Sequence, residues 1–327
     1  MIRSISAALL LSLLCGTALT QSALAQNTAT ETVDTMNTLW GRHPGQRANH
    51  AKGVVVQGSF TPSAGAAAIS KAGIFAGGAI PVIVRFSDST GLPTLPDGDV
   101  NANPHGMSIR FQQTASEYVD VVANSLAFFP VANGEEFLAL LQAVAESGKD
   151  APHPNKLEQF VGTHPAVPKA FASAQTPSSF ARDQYNGVDA FIFVNAKDER
   201  QPFRFQFQPA LGTDIVSADV AAKMAPDGLL TELPERLAKG PVSFKVMAQL
   251  ANAGDQTKDP TQPWPSDRKM QDMGTITLTA PVADEAKAQH DLRFLPNHLQ
   301  PGIEVSDDPL IDARVRSYLI SFGRRAQ

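Results

Sequence analysis

Eight short runs of alternating or β-branched residues, each closed by Gly, Pro or Asn turns, constrain the fold of this chain more than any other feature. They occupy residues 54–60, 82–86, 107–111, 118–122, 191–195, 203–208, 242–250 and 275–279. Successive side chains of a strand point to opposite faces, so Phe203, Phe205 and Phe207 face one way and Arg204, Gln206 and Gln208 the other. The first set belongs in a core and the second on a wet outside. Strands joined by turns suit an antiparallel sheet. Closing eight of them into a barrel removes the unpaired edges that an open sheet would leave.

Helical signals interrupt the strands. Residues 31–40 read as a short helix after a polar leader at 26–28, stopped by Gly41 and Pro44. A second helix is expected over 134–146, with Asn133 as its cap, Glu136 three residues on, and Leu138, Leu140, Leu141 and Val144 facing the core. Residues 152–179 are rich in Pro, Ala and Ser and are expected to wrap the surface with little regular structure. Near the end, Ser306-Asp307-Asp308-Pro309 starts a helix that should run to about Phe322 and stop at Gly323. Its spacing puts Ile311, Arg314 and Tyr318 on one face, continued by Phe322.

The start of the chain reads as an export leader. Arg3 precedes an apolar stretch at 8–14 and then Ser22-Ala23-Leu24-Ala25, the order of a charged start, a hydrophobic middle and a cleavage site after Ala25. The stretch is shorter than the roughly 20 apolar residues that a membrane span needs. Bulky Leu14 before Cys15 argues against lipid attachment. Residues 1–25 are therefore expected to be a signal peptide and 26–327 a single domain working in the periplasm. That domain has 302 residues and no cysteine, which excludes a disulfide or a thiolate metal site, and its 26 basic against 32 acidic residues give nothing that points to nucleic acid. No stable membrane insertion is expected, and the choice between monomer and homodimer stays open.

In a strand over 82–87, Arg85 and Ser87 share a face. Two polar residues directed the same way among Val and Ile suit the lining of a buried polar site. Ahead of the first strand lies Arg47-Ala48-Asn49-His50-Ala51-Lys52-Gly53. Read alone, each of these residues is ordinary: His50 a packed or surface histidine, Asn124 a turn residue, Phe128 core, Tyr318 a helix anchor.

Taken in order, these segments resemble the catalase family. The His50 segment is similar to the stretch that carries the distal histidine, and Val84-Arg85-Phe86-Ser87 to the following strand. Asp120-Val121-Val122-Ala123-Asn124, with Phe128-Phe129, is similar to the stretch holding the distal asparagine and paired phenylalanines. Residues 187–212, including Phe193-Val194-Asn195-Ala196, and Pro263-Trp264-Pro265 resemble further barrel segments. Pro301-Gly302-Ile303-Glu304 and residues 307–318 resemble the proximal helix, with Arg314 four residues before Tyr318 and Arg325 seven after it.

The resemblance implies a mainly β fold with helical insertions, an eight-stranded antiparallel barrel without the family's C-terminal helical domain, and haem b as cofactor. It implies Tyr318 as the iron ligand, Arg314 beside it, and Arg47, Arg85 and Arg325 on the propionates. Phe128 would lie against the haem, and His50, Asn124 and Ser87 would form the catalytic set, with Ser87 bonded to His50. These roles make chemical sense. A phenolate is a hard anionic ligand, and a guanidinium one turn away keeps it ionised. A histidine can take the proton of peroxide and return it to the departing oxygen, while an asparagine orients the oxygens.

Departures shape the expected function. The chain stops nine residues after Tyr318, where ordinary catalases continue; Asn103 stands where an acidic residue is usual and His105 where an arginine is. A shorter shell and an altered entrance are similar to the small catalase-related peroxidases. The expectation is a haem peroxidase that reduces hydrogen peroxide or organic hydroperoxides with a small organic electron donor and has weak catalase activity. The alternatives are a true catalase, lipid hydroperoxide rearrangement, or haem binding without turnover; the pair His50 and Asn124 speaks against a mere carrier, which needs no distal acid and base.

Overall fold

A computed structural model describes residues 5–325, with side chains from residue 23 onward. Arg3, the charged start of the expected leader, lies outside the described residues. Ten strands occur among them. The first four are β1 (Gly53–Pro62), β2 (Ile80–Ser87), β3 (Gly106–Gln112) and β4 (Tyr118–Asn124). The next three are β5 (Tyr185–Asn186), β6 (Phe191–Val194) and β7 (Arg200–Pro209), and the last are β8 (Val242–Leu250), β9 (Met270–Pro281) and β10 (Ile303–Val305).

The strands close on themselves. β1 to β4 pair antiparallel in turn, β4 passes to β5, β5 to β7, and β7 through β8 and β9 back to β1. β5 and β6 pair with neighbouring parts of β7, Tyr185 with Phe207 and Phe191 with Phe203, so they act as one interrupted strand. The result is the expected eight-stranded barrel, with β10 added outside on β6. All eight expected strands are present; the two-residue β5 and three-residue β10 are too short to show a period.

Alternation fills the interior. Phe86 packs inside against Phe180, Tyr185 and Phe244 with ring centroids 5.6, 5.5 and 5.9 Å apart. Phe203, Phe205 and Phe207 are buried in the same core. Fully burying one such ring is worth roughly 1.5–3 kcal/mol, so the aromatic interior contributes a large share of the hydrophobic stabilisation. The opposite face is not uniformly wet: Arg204 is buried because Trp264 covers it at 4.6 Å and the carbonyl of Gln262 accepts from its Nη1 at 2.7 Å.

Nine helices occur among the described residues: α1 (Ile5–Trp40), α2 (Ala66–Ile69), α3 (Gly134–Ala145), α4 (Lys156–Thr163), α5 (Ala166–Ala172), α6 (Ala218–Ala221), α7 (Gly228–Leu237), α8 (Glu285–Asp291) and α9 (Pro309–Arg325). None is long and apolar enough to cross a membrane. In α3 the expected cap forms, Asn133 Oδ1 accepting from Glu136 N at 2.8 Å, and Leu138, Leu140 and Leu141 are buried while Val144 is exposed.

Three helical expectations are corrected. The polar leader at 26–28 is helical: α1 runs through it unbroken, and its threonines, such as Thr28 and Thr32, satisfy their hydroxyls on the carbonyls four residues back. Residues 152–179 contain α4 and α5, with α4 started by a reciprocal cap between Asn155 and Glu158. α9 passes through Gly323 to Arg325, whose Nη2 donates to the Leu292 carbonyl and anchors the last turn. Together α1, α3 and α9 cover the outer face of β2 to β4, and the cavity described next lies between them and that face.

Candidate active site

Strand register builds one wall of the site. Gly53 pairs with Ser87, Ser87 with Gly106, and Gly106 with Asn124, so these residues form a row across the barrel rim. Two residues along, Arg85, Ser108 and Val122 form a second row. Each row faces outward because Phe86, Met107 and Ala123 between them turn inward. Only a glycine fits between Ser87 and Asn124: a Cβ on Gly106 would meet Ser87 Oγ at 2.7 Å and the His50 ring at 3.1 Å.

His50 stands on the approach to β1 with φ of 55°, a left-handed conformation that costs a residue with a side chain roughly 1–3 kcal/mol. Its neighbours hold it there. Arg85 Nη2 donates to the carbonyls of His50 at 2.9 Å and Ala51 at 3.2 Å, and Asn49 Oδ1 accepts from His50 N at 2.9 Å. The twist brings His50 Nδ1 to 3.1 Å from Ser87 Oγ. Burial, reinforced by Arg85, Arg314 and Arg47 and opposed by the Asp88 backbone, pushes the imidazole down to about 3. His50 is therefore neutral at ordinary pH and can accept a proton.

Three guanidiniums gather beside it. Arg85 Nε and Arg47 Nη1 both donate to Gln289 Oε1, at 2.8 and 3.0 Å, while Arg47 Nη2 and Arg325 Nη2 both donate to the Leu292 carbonyl at 2.9 Å. Burial lowers all three, aided by mutual repulsion at Arg47 and Arg85: Arg47 well below its usual range, Arg85 to about 9, and Arg325 to about 10. Arg325 Nε is buried without a partner. Such a cluster is complementary to carboxylates, which guanidiniums bind through paired hydrogen bonds.

The other wall comes from α9. Arg314 Nε donates to the Tyr318 hydroxyl at 3.1 Å, as their spacing of four predicts, and its Nη1 forms an ion pair with buried Asp189. Burial opposes the charge of Arg314, but Asp189, Tyr318 and Asp308 outweigh it and raise it above its ordinary range. Ser321 Oγ accepts from Ala48 N at 3.1 Å, which ties α9 to the His50 segment. Ile311, one turn before Arg314 on the same helical face, packs into the barrel core.

The cavity so enclosed has a volume of about 700 Å³. Eight of the nine residues expected at the site, Arg47, His50, Arg85, Ser87, Asn124, Arg314, Tyr318 and Arg325, line it. The ninth does not. Phe128 packs on Leu126, Ala170 and Ala174, and Phe129 lies on the cavity, because the Asn124 side chain turns the chain by accepting from Leu126 N at 2.9 Å. His105 does not form an entrance, being fully buried behind β3, while the half-buried Asn103 donates to Thr176 Oγ1 at 3.1 Å.

Residues that the sequence reading missed complete the walls. Gln289 on α8 organises two of the arginines, Asp189 positions Arg314, and Thr32, Val33 and Met36 of α1 close the apolar side. The spacing of Thr32, Val33 and Met36 on one helical face was visible in the sequence; nothing local marked Gln289 or Asp189.

A family model described as Catalase matches residues 22–325. The chain is 32% identical over 295 residues to a catalase-related peroxidase of Synechococcus elongatus, covering 88% of this chain and 86% of that protein. It is 31% identical over 302 residues to a catalase-related peroxidase of Mycolicibacterium paratuberculosis, covering 91% of this chain and 95% of the relative. Among solved structures, a fungal catalase superposes with a TM-score of 0.76 at 21% identity over 87% of this chain, and catalase A from Saccharomyces cerevisiae with 0.76 at 19% over 87%. The chain spans 60% and 62% of those two catalases, and at such identity the likeness shows the fold.

Proposed function

The chain belongs to the catalase family, and from that premise we infer that it is a haem-dependent peroxidase, reducing hydrogen peroxide or organic hydroperoxides with a small organic electron donor and releasing oxygen only weakly. The observation that carries this reading is the convergence on one cavity of a neutral, serine-held His50, a Tyr318 hydroxyl bonded to a buried guanidinium, and three further arginines, of which Arg85 and Arg325 are buried and Arg47 half-buried. The two relatives named catalase-related peroxidase, aligned over most of their length, support peroxidase over catalase.

The residues fit haem. Arg47, Arg85 and Arg325 would take its propionates, which supplies the negative charge that their mutual repulsion and the unpartnered Arg325 Nε lack. Tyr318 would be the iron ligand, with Arg314 stabilising its anionic oxygen. Haem b suits the chain because no cysteine follows Cys15 to make a covalent link. Bound there, haem would supply the redox centre that takes the oxidising equivalents of peroxide and passes them to the donor.

The protein's own share is proton handling and orientation. In the tautomer whose Nδ1–H donates to Ser87 Oγ, 3.1 Å away, His50 keeps its lone pair on Nε2. That nitrogen accepts the peroxide proton and returns it to the departing oxygen, and its depressed basicity makes the return easy. Asn124 uses its Oδ1 on Leu126 N, so the group it has left for a peroxide oxygen is the amide NH2. The apolar side contributed by α1 admits an organic donor. Parallel measurement of donor oxidation and oxygen release on the haem-loaded protein tests the reading. Donor turnover should exceed oxygen release; the reverse order makes catalase the better description.

The place of action we assign is the periplasm, supported by the short apolar stretch and the alanines before Gln26. α1 runs through Ala25 without a break, so cleavage there would leave residues 26–40 on the cavity wall. Mass spectrometry of the native protein should show Gln26 as the first residue; an intact Met1 would overturn export by cleavage.

A further inference from the structure

Behind the row formed by Ser87, Gly106 and Asn124 lies a group of ionisable residues that the mechanism above does not use. His105 is fully buried, with Nε2 3.7 Å from Asp88 Oδ1 and Nδ1 3.5 Å from Asp183 Oδ2. Phe180 meets its ring edge-on at 5.5 Å, and no hydrogen bond satisfies either ring nitrogen or either oxygen of Asp88.

The position of these groups matters more than their number. Asp88 follows Ser87 directly, and His105 precedes the Gly106 against which the His50 ring packs. The peptide of His105 is tied on both sides to Ser125, its N donating to Ser125 Oγ at 2.9 Å and its carbonyl accepting from Ser125 N at 2.9 Å. Ser125 follows Asn124. His105 is thus separated from each residue of the distal set by one intervening residue, Asp88, Gly106 or Ser125.

A neutral imidazole has one N–H and can donate to one of the two carboxylates, leaving a lone pair against the other. One extra proton, on the ring or on a carboxyl, removes that conflict, and buried polar groups without a partner are costly. We propose that Asp88, His105 and Asp183 share this proton, and that His105 is thereby a positioning residue whose protonated cluster fixes the Ser87 and Gly106 backbones against the His50 ring.

The surroundings favour retention of the proton near neutrality. Burial, with help from Asp97 and against the pull of His105 and Lys52, pushes Asp88 up to about 7. The charged and titratable groups facing the cluster are Lys52, which forms an ion pair with Asp97 and another with Asp227 at 2.9 Å, together with Tyr185, Arg85 and His50. Loss of the shared proton leaves two carboxylates facing one neutral ring, which loosens the hold on the Ser87 and Gly106 backbones.

The inference rests on the distal role given to His50, and its test separates the two. In the haem-loaded protein, kcat/KM for peroxide should fall as pH rises through neutrality, by up to about tenfold per pH unit as for one ionisation. Asp88→Asn and His105→Gln should abolish or displace this limb while the haem spectrum stays as in the unsubstituted protein. An unchanged limb in both variants overturns the proposal. Infrared spectra give a readout independent of turnover and of variant folding. Asp308 also titrates high, so Asp308→Asn serves as the control: a protonated-carboxyl band should vanish through neutrality in both the unsubstituted and Asp308→Asn proteins. Its absence from both, with no imidazolium band titrating in its place, overturns the shared proton even if the enzyme is active. Its presence in a protein with no peroxidase turnover would sink the functional reading instead.

Discussion

His50 is the residue on which the proposed chemistry turns, and it is held in a left-handed conformation. His50→Ala should slow peroxide-driven oxidation of the haem by about 100- to 10,000-fold, the usual worth of a placed acid-base group, when followed by stopped flow. A rate equal to the unsubstituted protein's would remove His50 from the distal role. Because burial holds the imidazole near 3, its protonation should inhibit turnover only toward that pH, well below the range of an ordinary histidine. The acid limb of the kcat/KM profile measures this directly. Tyr318→Phe keeps the ring but deletes the oxygen to which Arg314 Nε donates. The ferric spectrum of the reconstituted variant should lose its tyrosinate character, and an unchanged spectrum would exclude ligation by Tyr318. Alternation and family resemblance made His50, Ser87, Arg85 and Tyr318 legible in the sequence. Phe128 and Phe129 were not separable, since adjacent like residues beyond a strand end carry no phase. Gln289 and Asp189 stayed hidden because their partners, Arg47 and Arg85 for one and Arg314 for the other, are brought to them by tertiary packing.

Among elements, strands were easier to read than helices because period two survives in short runs and each run ended at a turn. β5 has two residues and β10 three, too few for any period, and both exist because a longer strand offers them a pairing edge. α4 and α5 were obscured by the Pro, Ala and Ser content of their region, although Asn155 followed by Glu158 is a start signal. Asn155→Ala tests how much that cap contributes. Loss of the reciprocal bonds should cost about 0.5–2 kcal/mol, or a few degrees in Tm. The cap is remote from the cavity lining, so the haem spectrum should not change; a Tm equal to that of the unsubstituted protein would show that α4 is held by packing alone.

For the molecule as a whole, burial sets a dependence of stability on pH. Asp308 is pushed up to about 7, by burial first and then by Asp189. Its folded value exceeds the unfolded one, so the folded chain binds the extra proton between them. The contribution to stability is complete below the unfolded value of about 3.9 and is lost as pH rises through about 7. Asp308→Asn cannot ionise and can still accept from Leu310 N, as Asp308 Oδ1 does at 2.9 Å. Its Tm relative to the unsubstituted protein should therefore rise as pH is raised from acid to neutral; a constant difference would show that Asp308 titrates normally. The eight-strand barrel was legible from the sequence, but the placement of the cavity on its outer face was not, since that depends on which helices return to cover it. Those helices come from the two ends of the described chain: α1 supplies Thr32, Val33 and Met36, α9 supplies Arg314, Tyr318 and Arg325, and β1 closes the barrel against β9. A chain still emerging from the ribosome, with α9 unmade, has His50 but no pocket. On the proposed haem function, haem capture would then follow synthesis of α9, and for an exported chain it would fall to the compartment in which the two ends first meet.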